Sequence, residues 1–129
     1  MPQNYAEAAR WLRLAAGQGD AIGQMYLGIM YANGSGVPQN HVEAMRLLQL
    51  AADQGDALAQ HNLGVGYENG LGVLQNYETA YMWFNLAAAQ AYQSARTARE
   101  RLASRMKPAQ ISRAQQRSEA CMARNYQGC

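Results

Sequence analysis

Residues 38–44 read Pro38-Gln39-Asn40-His41-Val42-Glu43-Ala44, and this phrase decides the fold because the chain writes it three times. It stands as Pro-Gln-Asn-Tyr-Ala-Glu-Ala from Pro2 and as Leu-Gln-Asn-Tyr-Glu-Thr-Ala from Leu74, both steps being 36 residues. The neighbouring words move with it. Leu-x-Leu-Ala-Ala at Leu12 returns at Leu48 and, as Phe-Asn-Leu-Ala-Ala, at Phe84. Gln18-Gly19-Asp20-Ala21 returns as Gln54-Gly55-Asp56-Ala57, and Leu27-Gly28, Tyr31 and Gly36-Val37 return at Leu63-Gly64, Tyr67 and Gly72-Val73. A fixed period of this length marks a supersecondary unit that cannot bury its apolar face alone and therefore stacks on its neighbours.

Each unit contains two helices. One runs roughly from Asn40 to Gln54, with Ala44, Leu47, Leu48 and Ala51 along one face. Asn40 caps its start, and Glu43 three residues later is placed to close a capping box; Asn4 and Glu7 repeat the device, while Asn76 has Thr79 in place of the acid. Gly55 stops the helix in a left-handed conformation. Asp56 then caps a second helix, roughly Ala57 to Asn69, in which Gly64 marks a close helix approach. No strand pattern occurs, so the fold expected is all-α.

The rest of the chain is consistent with this. It has 129 residues, 49 % of them apolar and 16 % charged, about one domain's worth with enough apolar surface for a core. The uncharged run Thr79 to Ala95 is broken by Asn85, Gln90 and Gln93, and the longer one, Ala21 to Val42, by Gln24, Asn33 and a Gly/Pro turn, so neither reads as a transmembrane span and no membrane insertion is expected. The formal charge of +2 is divided unevenly. Residues 1–95 carry three basic and seven acidic side chains, whereas residues 96–129 carry eight basic ones against Glu100 and Glu119. The arginines there are spread around the helices without interleaved aromatics, so they suit a polar cap over the end of the stack, not a nucleic-acid surface. That third copy also departs from the pattern: Ala91 replaces the stop glycine, Tyr92 replaces the cap aspartate, and Pro108 suits the first turn of a last helix.

The run Ala21-x-x-Gln24-x-x-Leu27-Gly28-x-x-Tyr31-x-x-Gly34-x-Gly36-Val37, followed by Glu43-Ala44-x-x-Leu47-Leu48-x-x-Ala51-Ala52-x-x-Gly55, resembles the Sel-one-like repeat (SLR) family, relatives of the tetratricopeptide repeats. The likeness covers residues 2 to about 91. It implies an α-α superhelix, a solenoid of antiparallel helix pairs with about seven helices. The division expected is an orphan return helix of a truncated repeat over 1–19, full repeats over 20–55 and 56–91, and atypical capping helices over 92–129. In that phase Met1 sits where other units have Val37 and Val73, as in a chain cut from a longer solenoid.

By the same resemblance, the forward helices line a concave groove that binds a protein or peptide. Its candidate residues are Met25, Tyr26 and Ile29, then His61, Asn62, Val65 and Glu68, then Arg101 and Arg105. Asn62 stands out, since a groove amide can bond both N–H and C=O of a bound backbone. His41 is expected in packing or on the surface, and Trp11, Trp83, Phe84, Tyr31 and Tyr67 in packing between helices. No nucleophile–base pair, metal-ligand spacing or phosphate-cradling loop is present, so no catalytic residue, metal or cofactor is expected. Two other functions stay open: β-lactam binding or hydrolysis, associated with relatives that carry a cysteine pair in each repeat, and a purely structural segment of a longer solenoid. The oligomer expected is a monomer or a weak end-to-end dimer.

Cys121 and Cys129 lie outside the repeats. One straight helix through both would hold them about 12 Å apart, too far for a disulfide. A bond becomes feasible if the helix ends near Asn125 and Gly128 lets the tail fold back; otherwise both are free thiols. Bonded, they imply export to the periplasm or cell envelope, in keeping with bacterial members of the family; free, they imply the cytoplasm.

Overall fold

The repeated caps form where the sequence puts them. In a computed structural model, which describes residues 4–129, Asn4, Asn40 and Asn76 accept from the backbone N–H groups of Glu7, Glu43 and Thr79, each at 3.0 Å. Asp20 and Asp56 accept likewise from Gly23 at 3.3 Å and Ala59 at 2.8 Å. Each such cap is worth about 1 kcal/mol. Met1 and the Pro2-Gln3 opening of the first copy lie outside the described residues. The helices so started are α1 (Tyr5–Gly17), α2 (Ala21–Asn33), α3 (His41–Asp53), α4 (Ala57–Asn69), α5 (Tyr77–Ala89), α6 (Gln93–Ala103) and α7 (Pro108–Ala123). All seven are α-helices, with no strand among the described residues.

One half of the expected capping box is replaced. The Asn40 N–H donates to the Tyr31 carbonyl at 2.9 Å instead of to Glu43, whose carboxylate pairs with Arg46. The Asn76 N–H donates to Tyr67 in the same way, at 2.9 Å. A local cap has thus become a tie between the forward and return helices of one unit.

The pairs are layered. α2 packs most closely on α3 and α4 on α5, while α1–α2 and α3–α4 contacts join successive units. Two glycines allow the close approach: a Cβ on Gly64 would lie 2.5 Å from the Phe84 ring, and one on Gly28 3.0 Å from Leu48. Leu48, Leu63, Met82, Trp83 and Leu86 form a continuous buried spine. Gln24 and Gln60 are buried beside it, accepting from the side chains of Gln54 at 2.8 Å and Gln90 at 3.0 Å. The buried amides are therefore partnered at each step of the repeat, which removes the cost of desolvating them unpaired.

The third copy keeps its turn with poorer residues. Ala91 sits at φ 65°, where Gly19 and Gly55 have φ 85° and 92°, a conformation that costs a non-glycine residue about 1 kcal/mol. Tyr92 supplies no side-chain cap. Packing of Ala87, Ala88 and Ala95 holds α5 and α6 together across that turn. Beyond it the regular pairing ends, because α6 and α7 both close on α5 and do not pair as α2 does with α3. Trp11 departs from the packing role expected of it: it is 63 % exposed, since α1 packs on α2 and nothing among the described residues covers its outer side.

Candidate binding groove

Helix α4 presents Leu58, His61, Asn62 and Val65 at i, i+3, i+4 and i+7, a single helical face. Ile29 of α2 and Ala44, Met45 and Leu48 of α3 meet this face around an open cavity of about 510 Å³, whose lining also includes Asn33, His41, Leu71 and Tyr92. That volume lies in the range of ligand-binding clefts. A second hollow of about 550 Å³ opens beside Tyr5, Leu12, Tyr26 and Met30. Ile29 and Asn33 line both hollows, so the two adjoin.

The candidate residues separate into three groups. Ile29, His61, Asn62 and Val65 line the first cavity, and Tyr26 lines the second. Met25, in the column of His61, is 5 % exposed and packs in the core with Met45 and Leu48, so in this unit the position faces the seam between helices and not an open surface. Glu68, Arg101 and Arg105 form a cluster of their own. Glu68 is 5 % exposed, accepts from Arg101 at 2.7 Å and has Arg105 at 4.0 Å.

His61 is half-buried, with its ring centroid 5.5 Å from Phe84 and 5.4 Å from Tyr92. Its Nδ1 has no hydrogen-bond partner among the described residues. Burial lowers its pKa below the ordinary histidine value, Asn62 opposes that shift, and the Arg101 charge adds to it. Burial and the Arg101 charge both favour the neutral imidazole.

The basic end stays largely exposed, yet several of its arginines also bond to the body. Arg113 pairs with Glu78 at 3.2 Å, Arg117 donates to Thr79 Oγ1 at 3.0 Å, and Arg99 donates to Asn85 Oδ1 at 2.8 Å. With Arg101 on Glu68, the excess cations of residues 96–129 reach back onto the acidic body. Cys121 and Cys129 are joined in a disulfide, their α-carbons 5.5 Å apart. Helix α7 stops at Ala123, and Asn125, Tyr126 and Gly128 at φ 52°, 66° and 72° turn the tail back. No cluster of three or more His, Cys, Asp or Glu among the described residues is arranged to hold a metal ion. No helix there is long and apolar enough to cross a membrane.

Sequence reasoning missed Leu58, Asn33, Leu71 and Tyr92 as lining residues. Leu58 carried a usable signal, being three and four residues before His61 and Asn62. Tyr92 shows in sequence only as a lost cap, and its place against His61 follows from how α6 docks.

The Sel1 repeat family model matches residues 1–20, 21–56 and 57–92. Over 98 % of the chain the fold is similar to that of a protective antigen present in uropathogenic Escherichia coli strains and displaying an SLR fold, with TM-score 0.92 and 26 % identity. A Sel1 repeat protein from Oxalobacter formigenes is 35 % identical over 74 % of the chain, with TM-score 0.69. The chain spans 28 % and 39 % of the length of these two proteins. No curated protein matches it.

Proposed function

Because this chain belongs to the Sel1 repeat family, whose fold is generally a scaffold for protein–protein interaction and typically non-enzymatic, we propose that its concave groove binds an extended peptide or an exposed segment of a partner protein. Residues 20–55 and 56–91 act as the two full repeats that frame the groove, and 92–129 as its closing cap. One observation carries this reading: the cavity between α2, α3 and α4 has an apolar floor of Leu48, Leu58 and Val65 with the Asn62 amide in its lining. Such a floor takes apolar side chains, and the amide bonds a peptide backbone without depending on its sequence. Of the candidate residues, Ile29, His61, Asn62 and Val65 make the contact, Tyr26 extends it into the second hollow, and Met25 supports it from the core. The Cys121–Cys129 bond is consistent with an oxidising compartment and favours an exported protein.

The test is selection of phage-displayed random twelve-residue peptides on the wild type and on a variant combining His61→Ala with Asn62→Ala. Peptides enriched on the wild type are expected to lose binding to the variant. In calorimetry, Asn62→Ala alone is expected to weaken them by about 1–2 kcal/mol. Equal enrichment on both proteins would place binding elsewhere.

A further inference from the structure

The groove does not end at its apolar cavity. His61, Val65 and Glu68 succeed one another at i, i+4 and i+7 on α4, so the face that lines the cavity continues into the Glu68 cluster. Two arginines converge there on one carboxylate. Arg101 uses one terminal nitrogen on Glu68 and Arg105 stands at the limit of ion-pair distance, and their side chains are 55 % and 59 % exposed. A guanidinium carries five N–H donors, so most of theirs remain free for a ligand. The cluster holds two positive charges against one negative. Its helix strengthens that sign, because α6 and the turn after it carry Arg96, Arg99, Arg101, Arg105 and Lys107 against Glu100 alone. The charge is felt in the cavity, where Arg101 helps lower the His61 pKa. Removing Glu68 from water while leaving the arginines exposed is the arrangement expected of a buried acid that positions two cations for an outside anion.

We infer that the groove selects polypeptide segments in which an apolar side chain, held in the cavity, is followed by an acidic group, a side-chain or terminal carboxylate, held by Arg101 and Arg105. Glu68 is the positioning residue that sets the two guanidinium groups. This rests on the groove reading above and adds the class of its partner.

The experiment uses fluorescein-labelled twelve-residue peptides with a central leucine, followed by glutamates, by glutamines or by lysines, and measures anisotropy on the wild type at low and high salt. The glutamate peptides are expected to bind about tenfold more tightly than the glutamine ones, with the advantage shrinking at high salt. Arg105→Gln, which leaves the Arg101–Glu68 bond in place, is expected to remove much of that advantage while the glutamine peptides bind as before. Glu68→Gln, which keeps the buried shape but loses the carboxylate that sets the guanidinium groups, is expected to weaken the preference for glutamate. If the pair served stability alone, Glu68→Gln would lower the melting temperature and leave the preference unchanged. Equal binding of glutamate and glutamine peptides, or preference for lysine, overturns this inference and leaves the groove standing. Binding of none of the three overturns the groove reading as well. Displacement of the glutamate peptide by oligothymidine at a lower concentration than by the unlabelled peptide would assign the cations to nucleic acid and overturn the inference too.

Discussion

Replacing Cys129 with serine should cost this small domain a sizeable part of its stability, provided the C-terminal tail belongs to the cooperative fold. The bond joins residues eight apart, so by loop closure alone its entropic contribution is about 2.5 kcal/mol at 25 °C. Whether that amount appears in global unfolding depends on what the tail touches. Tyr126 packs against the Gly55 turn, its ring 3.1 Å from where a Gly55 Cβ would stand, and Gln127 Nε2 donates to the Asp53 carbonyl at 3.0 Å. Cys121 is fully buried, and Cys129 and Tyr126 pack on the same core cluster as Trp83 and Leu86. The loop that the bond closes is local, but the surface it pins lies some 70 residues upstream, the Gln127–Asp53 separation being 74. A domain of 129 residues shifts its melting temperature by roughly 4 °C per kcal/mol, so the expected drop is about 10 °C. The assay is thermal unfolding by circular dichroism for wild type and Cys129→Ser, each with and without a reductant. Wild type in reductant should melt with the variant, and the variant should ignore the reductant. A wild type whose melting point stays within about 2 °C on reduction would refute the reasoning, because the tail would then fray on its own and the bond would constrain nothing that the fold needs.

Four other perturbations test the packing and the site. His61 has a folded-state pKa below its unfolded value near about 6.5, so the unfolded chain binds more protons between the two. Stability should therefore be complete above about pH 6.5 and fall as the pH drops below it; urea unfolding at pH 7.5 and 5 should show a larger loss for wild type than for His61→Phe, and equal losses would remove His61 as the cause. Gly64→Ala pushes a methyl group into the Phe84 ring, 2.5 Å away, and should cost about 1–3 kcal/mol by overpacking. Gly17→Ala, which meets nothing within 4 Å at the end of α1, should be neutral or stabilise by up to about 1 kcal/mol; chemical denaturation compares the two directly. For the groove, Asn62→Ala should lower peptide affinity without moving the melting point by more than about 2 °C, since Asn62 makes no side-chain bond that the fold relies on.

The division of information in this molecule follows from distance along the chain. Helix number, phase, caps and stops were legible because each is set by residues within one turn or one repeat. Asn40 meets Glu43 three positions away, Gly55 stops the helix it follows, and the step of 36 residues repeats those instructions until layered pairs are the arrangement that buries every apolar face. Even the disulfide was legible as a conditional, since it needs only a local turn. Tertiary structure decided what depends on neighbours a repeat or more away. Met25 and His61 occupy one column, yet Met25 is sealed in the core while His61 lines a cavity beside Tyr92. Trp11 and Trp83 occupy equivalent positions two repeats apart, and only Trp83 has helices on every side. The arginines of the last helices have no local partners in sequence and find Glu68, Glu78 and Thr79 because α6 and α7 both dock on α5. Local hydrogen bonding and periodicity fix the elements; the exposure and pairing of a side chain depend on which surfaces stacking leaves uncovered, and that is a property of the assembled layers alone.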